Sequence, residues 1–248
     1  MANSRSVSLL LTLGFLVLSP NLRAEDLQFN LYLNVGFVNI QAGTASITQK
    51  QVVHDGRNAV MTSMLMSTNT RADRVFPMRD TIQSINTPRG ESLYFRKCVH
   101  EGSKNNIETA LFSRSGDNYV VNMNQTDALT GERKSHATEW RPERIYDLMS
   151  MLSYARTIDT ANSEPGRTES LPMVNGTMVV QQYLVYTGNT QIKADNGTSY
   201  DCMVISVRDY KEGKERETVR AYVTNDKAHL PIQLDIKAGV ATIKAVLK

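Results

Sequence analysis

The chain has 248 residues, with 28 Lys plus Arg against 25 Asp plus Glu, two cysteines and 41% hydrophobic residues. A net charge of +3 is too small to steer a nucleic acid onto a basic surface, and two cysteines are too few for a disulfide scaffold or a Cys-rich zinc module. The apolar fraction argues against wholesale disorder, and the length suits one sizeable domain or at most two small ones.

The first segment has the layout of a secretory signal peptide. Arg5 supplies the positive start, Val7 to Leu18 is the apolar run, Pro20 breaks it, and Leu22-Arg23-Ala24 is a cleavage site before Glu25-Asp26. The run is too short for a membrane span, which needs roughly 20 apolar residues, and no later stretch could span a bilayer. The organisation read from this is a signal peptide over 1–24 and a single β-rich domain over 25–248, exported to the periplasm or beyond. Cleavage leaves 248 − 24, or 224, residues and removes Arg5 and Arg23, so the mature net charge is +1. In an oxidising compartment Cys98 and Cys202, 104 residues apart, are candidates for a disulfide. It would stabilise by about 4–5 kcal/mol in the chain-entropy model. Two separate buried thiols are the alternative.

The mature start reads as a strand: Leu27, Phe29, Leu31, Leu33 and Val35 alternate with polar residues at period two. Gly36 and then Gln41-Ala42-Gly43 interrupt it, and Gly43 to Thr48 reads as a second strand of small residues. Gly43 marks a bulge or a close backbone approach. His54-Asp55-Gly56-Arg57 is a hairpin turn, and Asn58 to Thr68 is a strand in which Met61, Met64 and Met66 act as adaptable fillers. Short strands follow at 80–86, 93–101, 107–113, 119–125 and 134–140, separated by turns such as Thr87-Pro88-Arg89-Gly90 and Ser115-Gly116-Asp117.

One segment breaks the β pattern. After Pro142, suited to a first helical turn, Ile145, Leu148, Met149, Leu152 and Ala155 form one apolar helical face. A polar loop over 160–166 follows. Strands resume over 168–174, 178–186, 199–210, 217–224, 232–237 and 241–246, with turns at Asn175-Gly176, Asp195-Asn196-Gly197 and Glu212-Gly213. About a dozen strands with short turns and one helix predict a mainly β fold with antiparallel pairing, as a sandwich, roll or barrel.

Catalytic signatures are sparse. There is no nucleophile-elbow motif, phosphate-binding loop or dinucleotide fingerprint. His54, His100, His136 and His229 are scattered, and His100 two residues after Cys98 is only half a metal site. The acids Asp80, Glu101, Asp147 and Asp226 read as turn residues, caps or ion-pair partners unless two of them converge in a cleft. The residues therefore give no catalytic, metal or cofactor site.

Several segments together resemble a bacterial exported family known as domain of unknown function 3108. They are the run from Val35 to Ala45; Pro77-Met78-Arg79-Asp80 preceded by Phe76, with Ser84-Ile85; Glu101-Gly102; and the run from Tyr146 to Arg156. Asp226 with Leu230-Pro231-Ile232, then Ile236-Lys237-Ala238-Gly239 and Ala245-Val246-Leu247, complete the series. Their order carries the resemblance, while the opening Asn34-Val35-Gly36-Phe37 matches loosely. The resemblance implies an envelope protein with an extended, curved antiparallel sheet, closing towards a roll or a partly open barrel, with one principal helix packed against it. It implies no catalytic residue. Within it, the small residues at 42–45 are expected where a helix or strand packs closely. Arg79, Asp80, Asp147, Arg156 and Asp226 are expected as structural polar residues, forming buried charge pairs that fix the helix in the sheet.

Two functions compete on this reading. A curved sheet with a helix at its mouth is a container for an apolar small molecule or lipid. The alternative is a structural or assembly factor that contacts another envelope protein through an exposed edge or patch. A hydrolase using two of the acids is a third, weaker reading. No cofactor and no nucleic-acid partner is expected.

Overall fold

A computed structural model describes residues 26–74, 77–102, 104–158, 163–211, 213–238 and 241–248. The proposed signal segment and part of the 160–166 loop lie outside these residues. Eight strands come first in the chain: β1 (Leu27–Val35), β2 (Val38–His54), β3 (Arg57–Thr68), β4 (Arg79–Asn86), β5 (Ser92–Glu101), β6 (Lys104–Ser115), β7 (Asn118–Asp127) and β8 (Arg133–Arg141). A short helix α1 (Thr70–Asp73) precedes β4, and α2 (Leu148–Ala155) follows β8. The second half supplies β9 (Thr168–Asn175), β10 (Met178–Lys193), β11 (Ser199–Lys211), β12 (Lys214–Thr224), β13 (Pro231–Ala238) and β14 (Ala241–Leu247).

All 14 strands form one sheet in the order β8-β7-β6-β5-β4-β3-β2-β1-β14-β13-β12-β11-β10-β9. Every pair of neighbours is antiparallel. The two halves of the chain are each a meander, and the pairing of β1 with β14 joins them, from Phe29 opposite Leu247 to Val35 opposite Ala241. The sheet curls until its ends approach, but no backbone ladder closes it. The Val179 N–H donates to Glu139 Oε1 at 3.0 Å, and the Thr177 hydroxyl donates to Ser135 Oγ at 3.2 Å. Thus the β9–β10 hairpin tip is laced to β8 by side chains. The expected curved, partly open antiparallel roll is the architecture found. No helix among the described residues is long and apolar enough to cross a membrane.

Local chemistry sets the hairpins. Asp55 and Gly56 both adopt positive φ, 47° and 74°, which is the two-residue turn whose twist matches flanking strands. Gly43 does not interrupt a strand, as the sequence reading has it. β2 runs through it, and the irregularity is a bulge: Leu31 faces Gly43 and Tyr32 faces Gln41, leaving Ala42 as the extra residue. The close approach at this point is to the β3 backbone, since a Cβ on Gly43 would lie 2.0 Å from the Ser67 carbonyl oxygen.

Helix α2 sits where the apolar face predicts it but begins later. Ile145 carries the helical spacing yet lies outside the helix, because the next residue, Tyr146, is spent on the edge of β9. Its N–H donates to the Pro172 carbonyl and its own carbonyl accepts from the Val174 N–H, at 2.8 and 2.9 Å. Asp147 is then the N-cap, with extended backbone and a carboxylate that accepts from the N–H groups of Met149 and Ser150. The helix fills the interior of the curl. Met151 and Ala155 pack with Phe29, Leu31, Leu184 and Met203, while Met149 packs with Met64, Ile82, Phe95 and Met123. Leu148 and Leu152 touch both groups, so one helix welds the cores of the two meanders.

The cysteines do not pair. Cys98 lies on β5 and Cys202 on β11, with β4, β3, β2, β1, β14, β13 and β12 between them, and both are free thiols. Cys202 is buried in a small separate cluster with Ala194 and Ile232, where burial first, and then the charge of Asp201, pushes its thiol up to about 11. The 104-residue span is real in sequence, but a wide sheet keeps the two strands apart.

Gly43→Ala should destabilise the protein, because the atom in the way is backbone and either β2 or β3 must move. A loss of about 1–3 kcal/mol is expected, read as a lower urea midpoint at unchanged slope. An unchanged midpoint would mean that β3 does not approach Gly43 this closely.

Candidate functional site: a cleft at the helix-capped mouth

The polar residues picked from the sequence divide into two sets. Asp147 and Arg156 hold the two ends of α2. The Asp147 carboxylate is fully buried and also accepts from the Ser92 hydroxyl at 2.6 Å and Asn86 Nδ2 at 3.3 Å, which ties the helix N-terminus to β4 and β5. Ser150 closes a capping box by accepting from the Asp147 N–H at 2.9 Å. At the other end, Arg156 Nη2 donates to the Ala228 carbonyl at 2.9 Å, and the His229 ring bonds the Arg156 carbonyl. Asp226 shapes that same turn. It accepts from the Thr224 hydroxyl and from the N–H groups of Ala228 and His229, and the Thr224 bond first, then the backbone donors, hold its carboxyl below the usual range despite some burial. These three residues therefore fix the helix, largely through caps and backbone groups.

Arg79 and Asp80 do something else. As neighbours on a strand they face opposite sides of the sheet. Exposed Arg79 pairs with Asp73 of α1, at 2.6 Å for the closer oxygen, and those bonds hold the Asp73 carboxyl at about 2. The expected buried charge pairs are thus not what these two residues make: Arg79 meets an exposed acid, and Asp80 meets a backbone N–H. Buried Asp80 accepts from the His100 N–H at 2.9 Å and lies beside Glu101, whose pKa is raised by burial and then by the Asp80 charge. Among the described residues no three His, Cys, Asp or Glu side chains gather as a metal-ligand set.

Among the described residues the space beneath the helix is small. The apolar space under α2, between Leu27, Ile47, Leu152 and Leu234, amounts to about 50 Å³. The larger space is a cleft of about 440 Å³ at the mouth of the curl, beside the N-terminus of α2. Three hairpin ends and one loop frame it. His54 and Arg57 come from the β2–β3 turn, Thr87 and Glu91 from the β4–β5 turn, Arg114 and Tyr119 from the β6–β7 turn, and Arg144 and Ile145 from the β8–α2 loop. Leu93, Leu111, Phe112 and Val120 supply an apolar wall.

The polar groups of the cleft are pinned by stacking. The Arg114 guanidinium lies 3.6 Å from the Tyr119 ring centroid and donates to the Tyr119 hydroxyl at 2.6 Å, with Glu91 at 3.7 Å. Arg144 lies over the Tyr146 ring at 4.4 Å and donates to the Gly90 carbonyl. The sequence reading passes over these residues. The predicted Ser115-Gly116-Asp117 turn does place Arg114 opposite Tyr119, but nothing local brings Arg144 and Arg57 to the same place.

Asp147→Ala should cost about 3 kcal/mol, combining a lost cap with buried Ser92 and Asn86 donors left without an acceptor. Asp147→Asn should cost clearly less, since an amide oxygen can still cap. Equal losses in chemical denaturation would assign the effect to something other than capping. The Asp80–Glu101 pair has a pH signature. A carboxyl whose folded pKa exceeds its unfolded value binds more protons when folded, so stability falls as pH rises between the two values. Glu101→Gln should therefore raise the melting temperature at pH 7 and match wild type at pH values below the ordinary Glu range. A lower melting temperature at pH 7 would show that the Glu101 charge is stabilising.

The shape of the sheet is shared with a solved structure. A crystal structure of a beta-barrel-like protein of domain of unknown function DUF1849 from Brucella abortus superposes with a TM-score of 0.60. The match covers 90% of this chain and 94% of that one at 10% sequence identity, a likeness of fold alone. None of the curated proteins matches the chain. The family model described as protein of unknown function (DUF3108) matches residues 28–248, nearly the whole chain and all of the sheet, and the protein belongs to that family.

Proposed function

We propose that this is an exported cell-envelope protein that binds a small molecule without transforming it, and that the ligand seat is the cleft at the helix-capped mouth. The cleft itself carries the reading: about 440 Å³, within the usual range for small-molecule sites, with one apolar wall and a few fixed polar groups. The signal-peptide layout of residues 1–24 supports export. The acids that a hydrolase would need support binding over catalysis. Asp147 is a buried cap, Asp226 shapes a turn, and Asp80 bonds a strand N–H. The sheet interior supports the mouth over a central lipid cavity, because α2 occupies it.

A second reading, docking of another envelope protein, draws on the seam between β8 and the β9–β10 hairpin. Exposed Trp140 and Met178 lie on the two elements that meet there, and an unpaired edge can accept a partner strand.

Native mass spectrometry of protein recovered from the envelope fraction tests both. The expected result is a chain beginning after residue 24 that carries a small-molecule adduct, with the adduct lost in Glu91→Trp, which sets an indole beside Arg114 and Tyr119 in the cleft. Retention of residues 1–24 would overturn export, and a ligand-free chain bound to a second polypeptide would replace the first reading with the second.

A further inference from the structure

We infer that the ligand of this cleft carries an anionic head, a phosphate or carboxylate, on a short apolar body. This rests on the cleft being the ligand seat, and it goes further by fixing the chemical class.

The charge inventory of the cleft favours an anion. Arg57, Arg114 and Arg144 line it together with His54, against two carboxylates, Asp55 and Glu91. Neither acid neutralises its neighbours well. Asp55 is 87% exposed at the side chain and lies 3.7 Å from His54. Glu91 makes a long ion pair with Arg114 at 3.7 Å and accepts from the Tyr119 hydroxyl at 3.4 Å, so it answers one of the three guanidinium groups in part. Arg114 is itself half exposed, with its guanidinium plane held on Tyr119. Its Nη2 is partly spent on the Tyr119 hydroxyl, while stacking holds the guanidinium plane and leaves the remaining donors of the fork for phosphate or carboxylate oxygens.

Arg144 adds a second, independent sign. It is anchored by the Gly90 carbonyl and the Tyr146 ring, and its Nε is buried with no protein partner. No carboxylate of the described residues pairs with this guanidinium, and a guanidinium without a counter-charge favours an anion in the space it lines. The nearby N-terminus of α2 cannot play this part, because the Asp147 carboxylate already caps it.

The apolar wall supplies the other half of the ligand. Leu111, 54% exposed, and Val120 lie on one face of the rim, and half-buried Phe112 lies on the other. Cationic forks next to open apolar surface fit an amphiphile and not a bare ion. A polyanionic macromolecule is disfavoured, since the mature chain carries a net charge of only +1.

The test is calorimetric titration of the mature protein with octyl phosphate, inorganic phosphate and octyl glucoside, the amphiphiles kept below their micellar concentrations. Octyl phosphate should bind about tenfold or more tighter than either other probe. Arg114→Gln should weaken octyl phosphate about tenfold and leave octyl glucoside unchanged, and Glu91→Gln should tighten octyl phosphate. Arg144→Gln should act like Arg114→Gln. Because Arg144 also supports the Gly90 turn, Arg144→Lys, with its melting temperature measured alongside, should retain part of the affinity. Equal affinity for octyl phosphate and octyl glucoside overturns the anionic head while leaving the cleft as a ligand seat. Equal affinity for inorganic phosphate and octyl phosphate overturns the apolar body. If none of the probes binds, or if Glu91→Trp leaves their binding unchanged, the cleft reading itself falls.

Discussion

The pairing of β1 with β14 is the constraint on which the rest of the structure depends. It fuses an N-terminal meander of eight strands and a C-terminal meander of six into one sheet. A flat sheet of that width would leave one apolar face open to water, and strand twist makes so wide a sheet curl. Curling in turn creates an interior that side chains from the strands alone do not fill. Helix α2, which lies in sequence between the two meanders, goes there and contributes apolar residues to both cores.

The same geometry explains why the mouth carries the open space. Alternate hairpin turns of the sheet come together around α2, and turns are rich in polar, solvent-facing residues. The helix N-terminus is tied down by Asp147, Ser92, Asn86 and Ser150, so the adjoining cleft has a rigid floor. Stacking of Arg114 on Tyr119 and of Arg144 on Tyr146 then gives the cleft fixed cationic groups without the collapse that close ion pairs would produce. Structure and site are therefore linked: the element that completes the core also defines one side of the cleft.

Much of the architecture is legible in the sequence because its signals are local. Leu27 to Val35 alternates with period two, and Asp55-Gly56 can form the turn it forms. Local signals mislead where a distant partner decides. Ile145 shares the helical spacing of α2, but the β9 edge draws its neighbour Tyr146 into a bridge. Arg79 and Asp80 are adjacent in sequence yet point apart, and the acid that Arg79 meets belongs to α1, a four-residue helix whose Asn69 cap is its only clear signal. Cys98 and Cys202 were plausible partners by compartment, and only strand order separates them. The cleft is the extreme case, since its residues come from four connections that converge only when the sheet has curled.

The seam between the sheet's two ends has a mechanical consequence. In a closed barrel, strand number and shear fix the radius. Here the circumference is completed by the Glu139 and Thr177–Ser135 hydrogen bonds instead of a ladder, so the radius is not locked. Those bonds contribute on the order of 1–3 kcal/mol, and the packing of Val174 and Val179 against Val121, Met123 and Ala137 adds to them. The girth of the curl is therefore set by side chains at the seam and by the helix inside it, and a change of side-chain volume there would resize the molecule without altering any strand register.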